Sequence, residues 1–220
     1  SGNCRQFALL LRQAAQQQGA QFHFGTHVAR LVGHPAGVQL DGESESRSFD
    51  AVVLCAGVQS AALLQPLGLR LAVVALHGSA VGAPLREELH APQGVVVDVQ
   101  TQTTIARLGQ RVRVSGGAEL GRSTAQAHPQ TLNTLYRVLG ECFPGGVTHS
   151  SGLQVWRGAR PMLSDGPPAV GATTVPGLWL NLGHGASGWS LACGSARALA
   201  DQIAGKAPDI DLEGLGAQRF

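Results

Sequence analysis

Charge is what this chain has least of. Only 14% of its 220 residues are Asp, Glu, Lys or Arg, and the net charge is +2. That balance gives no footing for nucleic acid or for an acidic lipid surface. Cysteine is scarce too. Cys4, Cys55, Cys142 and Cys193 form no C-x-x-C pair and no zinc-ligand spacing, so they read as reduced, mostly buried thiols of a cytoplasmic protein. No apolar run reaches the roughly 18–20 residues of a membrane span. Residues 1–18 are glutamine-rich and hold no long apolar segment of the signal-peptide kind. There is no G-x-S-x-G, no Walker loop and no Ser-His-Asp signature. His23 and His27 are four apart but fall in a strand pattern, where that spacing builds no helical metal face.

What the chain has is glycine, 30 residues of it, with a 44% hydrophobic fraction suited to a sizeable core. Phe7, Leu10, Leu11, Ala14 and Ala15 predict an amphipathic helix over 4–18, stopped by Gly19. Strands are expected at 20–32, 37–41 and 46–49, separated by Gly33-His34-Pro35 and Asp41-Gly42. The run Asp50–Gly57 reads as a parallel strand buried on both faces. Residues 58–65 look helical and end at Pro66. From 71 to 117 the pattern changes to short β-runs at 71–75, 95–99, 103–108 and 112–115. Gly116-Gly117-Ala118-Glu119 reads as a bulge or tight turn. A helix is expected at 129–141, with Leu132, Leu135, Tyr136 and Leu139 on one side, and a last β-run at 151–158. These pieces describe an antiparallel sheet with a helix set between two parts of an α/β unit.

Two stretches carry candidate chemistry. In 178–205 a short apolar run, Leu178-Trp179-Leu180, leads into Gly183-His184-Gly185-Ala186-Ser187-Gly188. A helix follows with Leu191, Ala192, Ala196, Leu199 and Ile203 on one face. Strand, glycine turn and helix together aim unpaired N–H groups and a helix dipole at an electron-rich ligand. Glycine at 183, 185 and 188 lets a flat ligand approach the backbone. An ordinary strand-to-helix connection explains the same residues equally well. In Trp156–Pro168, Arg160 precedes a proline and is held extended. Its fork suits a carboxylate ligand, and a structural Asp or Glu is the competing partner. His184 either lines a site or is a hydrogen-bonded turn residue.

In this order the pieces resemble the flavin-dependent D-amino acid dehydrogenases, of the glycine oxidase-like and D-amino acid oxidase-like group. Gly158-Ala159-Arg160-Pro161-Met162 with Asp165-Gly166 is similar to G-x-R-P-M-x-x-D-G. Gly183-His184-Gly185, Gly188-Trp189 and Ala192-Cys193-Gly194-Ser195 are similar to G-H-G-x-x-G-W-x-x-A-C-G-S. Arg111–Val114 with Gly117-Ala118-Glu119 is similar to R-[IV]-R-V-x-G-x-A-E, and Gly2-Asn3-Cys4 is close to G-D-C. The resemblance implies an α+β, α/β fold. Residues 1–68 and 155–220 would form part of a Rossmann-like FAD-binding domain, and residues 69–154 an inserted antiparallel substrate-binding sheet. It implies FAD as cofactor, held at Val28, Ala56 and Gly57 and at Gly183, Gly185, Ala186, Ser187, Gly188 and Trp189. Arg160 would grip the substrate carboxylate, with His184 and His77 as further substrate-side residues. The implied reaction is oxidative deamination of a D-amino acid to a 2-oxo acid by hydride transfer to the flavin, with a quinone or another electron acceptor next in line. No acid or base is obligatory if the amine arrives neutral. The implied location is cytoplasmic, with peripheral attachment to the inner membrane as its variant.

The match departs from the family in three places. Family members are about twice this length and open with a strand followed by G-x-G-x-x-G, where the FAD pyrophosphate rests. The chain corresponds to their C-terminal half, so FAD affinity is expected to fall unless the N-terminal half is supplied as a partner. The family often has Lys-Gly-Tyr-Ser where His77-Gly78-Ser79-Ala80 stands here, and a lysine where Gln102 or Thr103 stands. Two alternatives remain: an inactive fragment, and an amine oxidase of the glycine or sarcosine type.

Overall fold

A computed structural model describes residues 2–120, 127–148 and 150–220. In chain order the elements are α1 (Cys4–Gln17), β1 (Val28–Gly33), β2 (Ala36–Leu40), β3 (Arg47–Ser48), β4 (Val52–Leu54), α2 (Ser60–Leu64), β5 (Val73–Pro84), β6 (Val96–Asp98), β7 (Thr103–Leu108), β8 (Arg111–Glu119), α3 (Pro129–Cys142), β9 (Gln154–Leu163), β10 (Ala169–Ala172), β11 (Leu178–Leu182) and α4 (Gly188–Ile203). They divide into two units, residues 1–7 with 76–159 and residues 8–75 with 160–220.

The first unit is a five-stranded sheet in the order β6-β7-β8-β5-β9. The β6/β7, β7/β8 and β5/β8 pairs are antiparallel. Alternation along β8 buries Val112 and Val114 completely, and Ile105, Val81 and Ala83 join them from β7 and β5. The 3.6-residue spacing in α3 brings Leu135, Val138 and Leu139 onto that apolar layer. The helix starts with Pro129 in its first turn and the His128 ring accepting from the Gln130 N–H. The expected irregularity at Gly116–Glu119 is present as a register shift opposite His77 and Ser79. Gly117 takes φ +84°, and a Cβ there would stand 2.8 Å from the Thr131 methyl. Strand β5 is far longer than the expected 71–75. Its second half, His77-Gly78-Ser79-Ala80-Val81-Gly82-Ala83-Pro84, is built of small residues with no periodic apolar signal, and the pairing with β8 organises it.

The second unit holds two three-stranded sheets, β1-β2-β3 and β10-β11-β4. In the latter, β11 pairs parallel with β4, Leu178 opposite Val52 and Leu180 opposite Leu54. Leu31, Leu54, Leu64, Leu163, Leu178, Leu180 and Leu182 form its core. Each such side chain contributes about 1.5–3 kcal/mol by burial.

Several expectations are corrected in this unit. The strand expected at 20–32 begins only at Val28. The strand expected to be buried on both faces is the three-residue β4, at a sheet edge, with Val53 40% exposed. Helix α4 turns Ser195, Ala198 and Leu199 inward, while Leu191, Ala192 and Ala196 lie in solvent. Of the expected stripe Leu199 is buried and the other four are not, because Ala and Leu occupy both faces. All four cysteines are free and exposed rather than buried. None of the α1 residues is buried.

Candidate functional site

The glycine turn sits where β11 hands over to α4. Gly183 has φ +80°, and a Cβ there would lie 2.6 Å from Leu163 Cγ. Gly185 has φ +53°, and its Cβ would come within 3.2 Å of Met162 Cγ. Both positions therefore require glycine, through conformation and through the close passage of β9. A single 3-10 turn, Gly185–Ser187, leads into Gly188 at the start of α4. Ser187 makes no side-chain capping bond, so the first N–H groups of α4 have no partner from the cap residue. Ala186, Ser187 and Trp189 are exposed on this turn. His184 is half-buried. Its backbone forms an antiparallel bridge with Met162, and its Nε2 lies 3.1 Å from Ser195 Oγ. Burial pushes its imidazole below the usual histidine range.

Two arginines on β9 have opposite surroundings. Arg157 is 8% exposed and meets Glu119 Oε2 at 2.7 Å. The Thr131 hydroxyl donates to Glu119 Oε1 at 2.8 Å. Arg160 is half-buried, and among the described residues it has neither an ion pair nor a hydrogen-bond partner. Its neighbours place it. The Pro161 ring is the one atom group within 4 Å of where a Gly57 Cβ would be, and Met162 touches the glycine turn. Gly57, the segment Arg160–Met162 and Gly183–Gly185 are therefore brought to one locality.

A cavity of about 320 Å³ lies in the same unit. It is lined by Thr26, Val28, Leu31, Leu54, Cys55 and Ala56 among others. Val28 and Ala56 thus share one hollow, with Gly57 following at φ +59°. These walls, lined by Val28, Leu31, Val38, Leu54 and Ala56 among others, fit the flat adenine end of FAD by their mostly apolar character. The uncapped helix terminus and the glycine cradle at 183–188 fit its ring system. His27 also lines the cavity and pairs with Asp41 at 2.8 Å. His77 belongs to the other unit, on β5. It is 5% exposed, and its Nδ1 and the Ser79 hydroxyl have no hydrogen-bond partner.

Sequence reasoning gave no role to four residues that hold these pieces. Glu119 and Asp165 belong to the quoted motifs. Asp165 takes Arg219 at 2.5 Å, and Arg219 also donates to the Pro167 carbonyl, which fastens the C-terminal segment. Ser195 closes the motif that His184 opens, and Met162 follows Arg160. Their places in the motifs were the available signal. Among the described residues no group of three or more His, Cys, Asp or Glu could hold a metal ion, and no helix is long and apolar enough to cross a membrane.

The chain is similar to D-amino acid dehydrogenases. It is 41% identical to that of Cereibacter sphaeroides over 225 residues, covering 100% of this chain and 50% of that protein. It is 37% identical to that of Bradyrhizobium diazoefficiens over 223 residues, covering 100% and 52%. The chain thus spans about half the length of the curated relatives it matches. Among solved structures, glycine oxidase from Geobacillus kaustophilus superposes with a TM-score of 0.79 at 24% identity, over 94% of this chain and 55% of that one. Iminodiacetate oxidase from Chelativorans sp. does so with a TM-score of 0.81 at 23% identity, over 96% and 57%. At that identity the likeness is one of fold. Residues 1–202 match the model of the family described as FAD dependent oxidoreductase, and the chain belongs to that family.

Proposed function

We propose that the chain is the substrate-gripping and flavin-facing half of an FAD-dependent D-amino acid dehydrogenase. The observation that carries this reading is Arg160, a half-buried cation without an acid partner, next to the segment that crosses the glycine turn. A guanidinium with no ion pair among the described residues is available there to an anionic ligand. An α-carboxylate matches its fork with two parallel charge-assisted hydrogen bonds. The first N–H groups of α4 favour negative charge over the Gly183–Gly188 turn. Val28, Ala56 and Gly57 hold the adenine end through main-chain contacts. Bound FAD supplies the hydride acceptor. The chain's own work is to orient the amino acid and keep water from the reacting carbon. The imino acid so formed hydrolyses to a 2-oxo acid and ammonia, and the electrons pass on to a quinone or a similar acceptor.

A second reading concerns the chain by itself. The unburied helix α1 and the open edge of β4 favour a fragment that is inactive until paired with the N-terminal half of such an enzyme. Both readings meet in one experiment. The chain is produced alone and together with the N-terminal half of the Cereibacter sphaeroides relative. Flavin absorbance and D-amino acid-dependent dye reduction are then recorded. Yellow protein active on D- but not L-amino acids in the paired sample supports the proposal. A paired sample that binds flavin but oxidises neither glycine nor any D-amino acid refutes it.

A further inference from the structure

His184 and Ser195 are eleven residues apart, one before the glycine turn and one in the second turn of α4. Ser195 is 9% exposed and sits on the inward face of the helix. Its hydroxyl donates to the Ala192 carbonyl at 3.3 Å. With that proton directed at Ala192, the Ser195 oxygen is the acceptor 3.1 Å from His184 Nε2, an arrangement that favours the Nε2–H tautomer, while the contact itself forms with either tautomer. The rest of His184 is engaged as well. Its carbonyl accepts from the Ser187 N–H at 3.1 Å, and its backbone bridges Met162. A Cβ on Gly188 would stand 3.4 Å from the His184 Cβ, so the turn folds over this residue.

We infer that His184 and Ser195 form a clasp that sets the Gly183–Gly188 turn in register with α4 and with Met162 of β9. Ser195 is a positioning residue on the inward face of α4. Without the clasp, the turn keeps its glycines but loses the side-chain bond that ties it to the helix it feeds. The functional value of the clasp rests on the reading that this turn faces the flavin; its existence does not.

The test uses the purified 220-residue chain, labelled with nitrogen-15, without flavin. Ring correlations report the His184 tautomer, and hydrogen exchange reports the amides of residues 185–189. The wild-type ring should carry its proton on Nε2 at pH 7.5. Ser195→Ala should shift the ring to a mixture of tautomers and speed exchange of the turn amides about five- to tenfold. Amides of β10 and β11 should stay unchanged. Ser195→Thr, which keeps the hydroxyl, should restore the wild-type ring signal. A folded Ser195→Ala chain with unchanged ring and turn overturns the clasp. Because flavin is absent from this experiment, its failure leaves the proposed reaction to the paired-half assay, and the reverse also holds.

Discussion

In the unit of residues 76–159, Ile105, Val112, Val114 and Leu139 are fully buried between a five-stranded sheet and α3. In the unit of residues 8–75 and 160–220, Leu10 and Leu11 of α1 are 58% and 56% exposed, and the parallel strand β4 leaves one edge open. The first unit packs one face of its sheet under α3 while Leu89, Val97 and Val99 stay exposed elsewhere on it. The second carries every expected flavin-side residue, and its exposed apolar side chains include those of α1 and Val53 on the edge strand β4. The same contrast recurs on β9, where Arg157 meets Glu119 inside the first unit and Arg160, the first residue of the second, has no ion pair among the described residues.

The sharpest way to break this contrast is to cut the closed core and the open face alike. Leu139→Ala should cost about 2–5 kcal/mol of the stability of the first unit. Val53→Ala should cost less than about 0.5 kcal/mol. Denaturant melts followed by hydrogen exchange read both, and equal losses would erase the distinction. Next in size is the ion pair. Glu119→Ala removes the acid that Arg157, 8% exposed, meets at 2.7 Å and should cost about 3 kcal/mol. The double variant with Arg157→Met should recover much of that loss in a double-mutant cycle.

These two tests fall on features the sequence disclosed unequally. Helix α3 was legible to within a residue, because Leu132, Leu135 and Leu139 repeat at helical spacing and a proline and a double glycine bound it. Strands β7 and β11 were legible from short apolar runs. Most of β5 was not, since Gly78, Gly82 and Pro84 erase the alternation that pairing with β8 then supplies. The inward face of α4 was misread because a helix rich in alanine has no polar side to contrast with it. The placement of Arg160 beside Gly57 and Gly185 was expected only through motif resemblance, since the approach of β9 to the turn is a tertiary fact. The Arg157–Glu119 pair, joining residues 38 apart, had no local signature.

Smaller effects refine the second unit. The Arg219 guanidinium, hydrogen-bonded to Asp165, holds that carboxyl below the usual range against the opposing effect of burial. A depressed folded-state pKa stabilises the protein above the unfolded value and is lost as pH falls through the folded one. Asp165→Asn should therefore remove a stability increment present at neutral pH, and the difference from wild type should begin to shrink below about pH 4, the unfolded value, and keep shrinking as pH falls through the lower folded one. An unchanged gap between pH 7 and pH 3 would show that the Arg219 tether is not electrostatic. Smallest of all should be the effect of Arg160→Ala on folding, within about 0.5 kcal/mol of wild type. A large loss there would mean that the cation has a structural partner after all.

That substitution also gives the most direct measurement of the central claim. In the chain paired with an N-terminal half and loaded with FAD, anaerobic bleaching of the flavin by a D-amino acid should be about 100-fold less efficient for Arg160→Ala than for wild type. The variant should remain yellow and folded. Bleaching at the wild-type rate and the same substrate concentration would contradict the assignment of Arg160 as the carboxylate grip.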